Sequence, residues 1–341
     1  MEGFNGVSVE QINACEKKIS ALLAEGRRKP LELARLYVEV GKGYYGLEKF
    51  KTAAQNYESA IELFQEAYGE DTNKAELADC YECAGLAYFY TRERVKALSR
   101  LGTALKIREK IHENDAMHPS IADAKLHMGL VWLDAGFHMG ALGALDPALD
   151  IYLRVYGEDA AHPRIAEAYN YKGLVTTWIE DPRGAFEHYK KSLEIWQRCE
   201  NNAQTYLGMA LCYGNIGVNY FFIGDTCETP EKKEESYKKS IKYYEKSLEI
   251  KKQVYGDDEN HHFVAMNYSN IGSSYIRLGD YEKATEMYKK CLKINKAIYT
   301  DQPDHPAIVR CYEMLAYICE ETDDWRGVAH YRQMIRKLKG E

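Results

Sequence analysis

Residues His118 to Gly157, HPSIADAKLHMGLVWLDAGFHMGALGALDPALDIYLRVYG, read as two helices joined by a tight corner at Asp134-Ala135-Gly136. The first carries a glycine at Gly129 and an aromatic at Trp132. The second carries small residues at Ala141 and Ala148, with Leu145 between them. A glycine inside a helix costs about 1 kcal/mol relative to alanine. Its place on an apolar face therefore predicts a point where a neighbouring helix comes close.

The same pattern returns along the chain. Gly41, Gly85, Gly129, Gly173 and Gly217 follow one another at intervals of 44 residues, and Gly272 follows after 55. The second-helix columns keep the same phase: Ala53, Tyr57, Ala60; Ala97, Leu101, Ala104; Ala185, Tyr189, Ser192; Ala284, Tyr288, Cys291. The fifth unit keeps phase only if its second helix carries Ser240, Tyr244 and Ser247. An insertion of 11 residues therefore lies between its helices, at about 225–239. Thr229-Pro230-Glu231 is a helix start, so the insert reads as a short loop plus extra turns on the second helix, projecting from one edge.

Punctuation recurs between units. Gly69, Gly157 and Gly256 follow tyrosines as helix stops, and His118-Pro119, His162-Pro163 and His305-Pro306 open new helices. Residues 1–29 carry one helix with an apolar stripe of Ile12, Ile19, Leu22 and Leu23 that ends at Gly26, as a capping element would. Residues 306–338 form an eroded last unit, in which Ala316 replaces the glycine and the second-helix columns slip after Trp325. The sequence thus predicts an all-α solenoid of about seven helix pairs over 30–341.

Composition narrows the function. A net charge of −7 spread along the chain does not suggest a nucleic-acid binder, and no apolar run approaches a membrane span. The N-terminus lacks signal-peptide character. Nine scattered cysteines then argue for free thiols in a reducing compartment, with the cytoplasm as the expected location.

Glycine and aromatic in one helix, then small, aromatic and small in the next, resembles the tetratricopeptide repeat (TPR). The usual period is about 34 residues. The longer spacing, the Tyr-Gly-acidic link and the His-Pro start, best seen in YGEDAAHPRIAEAYNYKGL (156–174), look like the kinesin light chain and nephrocystin type. The resemblance implies a right-handed superhelix whose first helices line a concave groove holding a peptide or helix of a partner. Groove positions lie six and three residues before each glycine, and one, four and five after it. They read Asp79, Glu82, Leu86, Phe89 and Tyr90; Asp123, Leu126, Leu130, Leu133 and Asp134; Glu167, Asn170, Leu174 and Trp178; then Val218, Phe221 and Phe222. Asn215 and Asn270, in YGNIG and YSNIG, echo the Asn-rich groove of kinesin light chains.

Two departures limit the transfer. Chaperone-binding TPR proteins grip a terminal carboxylate with a Lys three before the glycine and an Asn just after it. Here those places read Val38 and Lys42, Glu82 and Leu86, and Leu126 and Leu130, so that clamp is missing. The middle of the groove is also acidic and apolar, which suits a partner with apolar anchors and basic flanks.

Other chemistry is weakly signalled. Cys80-x-x-Cys83 lacks the second pair a metal site wants. The recurring histidines fall in successive units and read as repeat starts, and His261-His262 reads the same way. No nucleophile motif or phosphate-binding loop occurs. The expectation is therefore a non-catalytic scaffold or adaptor without cofactor or metal, binding a protein or peptide and neither nucleic acid nor a membrane interior. The competing expectation is a TPR peptide-sensing receptor that controls an effector.

Overall fold

A computed structural model of the chain describes residues 8–24, 29–69, 72–179, 181–256 and 260–340. Among these, every regular element is a helix. After α1 (Val9–Ala24) come seven hairpins: α2 (Pro30–Gly46) with α3 (Phe50–Tyr68), α4 (Ala75–Tyr90) with α5 (Arg94–Ile111), α6 (Pro119–Asp134) with α7 (His138–Tyr156), α8 (Pro163–Trp178) with α9 (Pro182–Arg198), α10 (Ala203–Thr226) with α11 (Pro230–Tyr255), α12 (His262–Leu278) with α13 (Tyr281–Ile298), and α14 (Pro306–Glu321) with α15 (Trp325–Lys339). The helices gather into two compact units, Met1–Ala160 and Ala161–Glu341. Within each, the second helix of a hairpin packs on the first helix of the next: α3 on α4 and α5 on α6, then α9 on α10, α11 on α12 and α13 on α14.

The glycine column explains the hairpins. A Cβ built on Gly129 would stand 2.7 Å from Leu145 Cγ, and one on Gly85 would stand 2.7 Å from Leu101 Cγ. At Gly41, Gly173, Gly217 and Gly272 the rings of Tyr57, Tyr189, Tyr244 and Tyr288 lie 2.6–2.8 Å from that position. Each glycine is thus a notch filled by the middle residue of the partner helix. The alanines on either side of that residue (Ala53 and Ala60, Ala97 and Ala104, Ala141 and Ala148) are fully buried.

Four hairpin corners carry a left-handed residue two places beyond the first helix, and the α12–α13 corner carries Gly279 one place beyond. Gly136 takes that conformation with φ 79°, but Glu48, Arg92 and Asp323 take it with φ 57°, 66° and 56°, which L side chains rarely adopt. The repeat-start histidines act as N-caps. Nδ1 of His118, His162 and His305 accepts the backbone N–H of Ser120, Arg164 and Ala307 at 3.2–3.3 Å. Two of these rings also stack on the preceding segment, His118 on His112 and His305 on Tyr299, each at 3.5 Å between centroids. The imidazole thus takes the place of the usual Asp or Ser cap.

Three expectations change. The 11-residue insertion is shared by both helices of its hairpin. α10 continues nine residues past Gly217, where α6 stops five past Gly129. α11 starts ten ahead of Ser240, where α7 starts three ahead of Ala141. The connection, 227–229, is no longer than 135–137. The added height repeats the notch device, because a Cβ on Gly224 would stand 2.5 Å from Tyr237.

In α1, Ile12, Ile19 and Leu22 are buried but Leu23 is 58% exposed, off the stripe; the expected stop at Gly26 lies outside the described residues. The last hairpin keeps register. Val328 is buried at the first small-residue position, and Arg332, where a tyrosine or leucine stands elsewhere, binds Glu320.

Gly129→Ala is expected to cost about 1–3 kcal/mol, because Leu145 must yield within a filled interface. Gly143→Ala on the neighbouring helix, where a Cβ meets nothing within 4 Å, should gain about 1 kcal/mol. Urea melts of the two variants check the register directly.

A candidate partner-binding face

The residues expected to line the first-helix face divide into buried and accessible sets. In the first unit Leu126 is fully buried (0%), and Leu86 and Leu133 are nearly so. In the second, Glu167, Asn170 and Asn215 are buried. These side chains pack between neighbouring helices and cannot meet a ligand without rearrangement. Two of them satisfy one another: Asn215 Nδ2 donates to Asn170 Oδ1 at 3.1 Å.

The acidic side expected of the groove is largely occupied from within. Arg108 of α5 reaches between α4 and α6. Its guanidinium donates to Asp79 at 2.8 Å, to Glu82 at 2.6 Å and to the Ser120 carbonyl at 2.9 Å. The other oxygen of Glu82 lies 2.8 Å from His127 Nδ1. Burial pushes the Glu82 carboxyl up, but His127 and Arg108 together outweigh it and hold the group well below the ordinary 4.5. Asp123 accepts the Tyr152 hydroxyl at 2.7 Å, Asp134 is gripped by Arg92 and Arg94, and Glu167 pairs with Arg164 at 2.9 Å. Only Asp79, two-thirds exposed at its side chain (66%), still presents a carboxylate to solvent in quantity.

Arg108 belongs to a column that sequence reasoning missed. It lies seven residues past the middle second-helix position and reads Phe64, Arg108, Tyr152, Trp196, Lys251 and Asn295. All six are buried, and the polar members reach toward first helices. Lys251 Nζ donates to Asn267 Oδ1 at 2.9 Å and to the Phe263 carbonyl at 3.4 Å. Polar residues recurring at a phase that is apolar elsewhere were the available signal.

Accessible apolar surface remains at the C-terminal ends of the first helices. In the first unit Phe89, Tyr90 and Leu130 are half-buried, and Tyr90 stacks on Phe50 at 4.4 Å. In the second unit Trp178 is 47% exposed and meets Phe222 edge-on at 6.2 Å. Leu174, Val218, Phe221 and Asn270 are half-buried beside or beyond this pair. The Arg277 guanidinium lies over Phe221 at 5.6 Å and binds Asp225 at 3.0 Å. Arg277 also opens onto a cleft of about 1210 Å³ between the tall α10–α11 hairpin and the α12–α13 corner, lined by Tyr237, Ile241, Tyr275 and Leu278 among charged residues.

Among the described residues no cluster of His, Cys, Asp or Glu is arranged to hold a metal ion, and no helix is long and apolar enough to cross a membrane. Cys80 and Cys83 stand in helix packing. Burial pushes the Cys83 thiol up to about 12, and the Cys80 thiol hydrogen-bonds to the Tyr57 carbonyl.

Comparison with known proteins agrees with this architecture. The tetratricopeptide repeat family matches residues 231–297 and 263–331, which span α11 to α15. No curated protein matches the sequence. Solved structures do. BtubC (BKLC) from P. vanneervenii is 19% identical over 72% of this chain and 92% of its own, with a TM-score of 0.52. A Rap protein complexed with Competence and Sporulation Factor is 17% identical over 95% and 79%, with a TM-score of 0.63. NprR in complex with its cognate peptide NprX is 13% identical over 95% and 86%, with a TM-score of 0.59. These likenesses are likenesses of fold. Residues 231–331 match the tetratricopeptide repeat, and the helix hairpins along the chain follow the all-α solenoid architecture of that fold.

The buried Lys251 yields a pH test. Burial pulls its pKa from 10.5 down to about 7. Between those values the unfolded chain binds a proton that the folded chain does not, so this group makes stability rise with pH across the window and contributes a constant penalty below it. The stability of the parent relative to Lys251→Met should be greater at pH 9.5 than at pH 7. Urea midpoints at the two pH values measure it, and a constant difference would count against a desolvated lysine.

Proposed function

We propose that the protein is a non-catalytic adaptor that docks a segment of a partner protein on the first-helix face of residues 161–341. The observation that carries this reading is the Trp178–Phe222 pair. A tryptophan about half exposed beside a half-buried phenylalanine leaves apolar area in water at the place where repeats of this family present residues to ligands. Large aromatics of that kind are the usual anchors of a binding surface.

Leu174 and Val218 widen the apolar track, and Arg277 over Phe221 gives it a polar end. The partner segment is therefore read through apolar side chains first, as a helix or extended peptide laying anchors into the track. Basic flanks have a smaller role than the acidic pattern suggests, because Glu82, Asp134 and Glu167 already hold arginines of this chain. The Rap and NprR structures, whose fold this chain shares, were solved with Competence and Sporulation Factor and with the cognate peptide NprX. A short free peptide is accordingly the second occupant to test.

Peptides selected on the purified protein from a displayed library should be rich in aromatic and branched aliphatic residues. Trp178→Ala and Phe222→Ala should each weaken the best binder at least tenfold (about 1.4 kcal/mol or more) with an unchanged thermal melt. Phe137→Ser, at an exposed apolar position on a hairpin corner (61% exposed), serves as the control. Equal losses for the control and the face variants would contradict the assignment.

A further inference from the structure

Each joint between hairpins brings the third small position of a second helix against the residue five before the glycine column of the next first helix. Within the units these joints read Ala60 with Cys80, Ala104 with Ala124, Ser192 with Cys212, Ser247 with Asn267, and Cys291 with Cys311. Apart from Asn267, the residues at these joints are small. Where cysteine occupies only one side, its thiol turns to a backbone carbonyl: Cys80 to Tyr57 at 3.4 Å, Cys212 to Tyr189 at 3.5 Å. At the joint between α13 and α14 both sides are cysteine, and the two sulfurs lie 3.3 Å apart.

We propose that Cys291 and Cys311 form a redox-modifiable dithiol that a hydroperoxide oxidises to a disulfide tying α13 to α14. Three observations carry it. The sulfurs are already in contact, and closing to a bond of about 2.05 Å asks for a further approach of a little over 1 Å. Asn295, one turn along α13, donates its Nδ2 to both sulfurs, at 3.4 and 3.5 Å, an arrangement that favours a thiolate. The Asn295 Oδ1 is buried without a hydrogen-bond partner, and the amide hydrogen-bonds to the two sulfurs through its Nδ2. Consistently, the hydrogen bond between the two sulfurs and those Asn295 contacts lower the Cys311 thiol below its ordinary value, against its burial.

The electron count closes in two steps. The Cys311 thiolate attacks the distal oxygen of the hydroperoxide; an S–O bond forms, the O–O bond breaks, and the alkoxide or hydroxide leaves with a proton as alcohol or water. The Cys291 sulfur, giving up its proton, then attacks the Cys311 sulfur; the S–O bond breaks and water leaves. The two thiols lose two electrons and two protons, which reduce the hydroperoxide.

The test treats the intact reduced protein with hydrogen peroxide, denatures it in an alkylating agent and maps cysteine peptides without reduction. The expected result is a Cys291–Cys311 cross-linked peptide 2 Da lighter than its dithiol form, while Cys80 and Cys212 are recovered alkylated. Oxidised protein should also show a raised urea midpoint that dithiothreitol reverses. Cys291→Ala and Cys311→Ala place at this joint the alanine that Ala60, Ala104 and Ala124 supply elsewhere. Both should fold and abolish the shift. Recovery of Cys291 and Cys311 as alkylated thiols, after half-buried Cys15, Cys199 and Cys227 have been oxidised, would overturn the proposal. So would a disulfide that joins either residue to another cysteine.

Discussion

The structure depends on one steric fit, the insertion of a tyrosine or leucine of each second helix into the glycine notch of its first helix. The gap is of order one methyl group: a Cβ at Gly173 would stand 2.6 Å from the Tyr189 ring. Every hairpin from Gly41 to Gly272 uses the same fit, with tyrosine or leucine as the inserted side chain. The phase of every other column follows, including which residues turn outward at the ends of the first helices. The tall α10–α11 hairpin shows the constraint operating. Its added turns are stabilised by a second notch, Gly224 against Tyr237, with the Tyr237 hydroxyl donating to Asp225 at 2.7 Å.

Much of this was legible in the sequence because steric notches impose residue types. Only glycine fits where Leu145 sits on Gly129, and only small residues fit at Ala141 and Ala148, so the columns repeat. The distribution of the insertion was not legible. Thr229-Pro230 marks the start of α11 plainly, but Gly224, seven past Gly217 as the corner Gly136 is seven past Gly129, reads as a helix stop and is instead a notch inside α10, which runs on to Thr226. The division at Ala160 was likewise invisible, since the 44-residue spacing from Gly129 to Gly173 passes across it unchanged.

The candidate face was only half legible. Position relative to the glycine placed Trp178 and Phe222 on accessible surface. It did not separate Leu126, which is sealed between helices, from Leu130, four residues on and half-buried. The acidic character was read correctly as composition and incorrectly as free charge. Asp79 and Glu82 are neighbours of Arg108, which is 26 residues from Glu82 in sequence and on another helix. A long side chain reaching across a joint is set by tertiary packing, and the local pattern carries no trace of it. The same column places Lys251 and Asn295 at later joints.

The account rests on the first-helix ends of residues 161–341 being the surface that meets a partner. The most direct measurement introduces a photo-crosslinking phenylalanine analogue at position 178 or 222, or at 137 as a comparison, in the protein as expressed in its own cells. The account predicts light-dependent adducts of one discrete mass through positions 178 and 222, and none through 137. Adducts formed through 137 alone would contradict it.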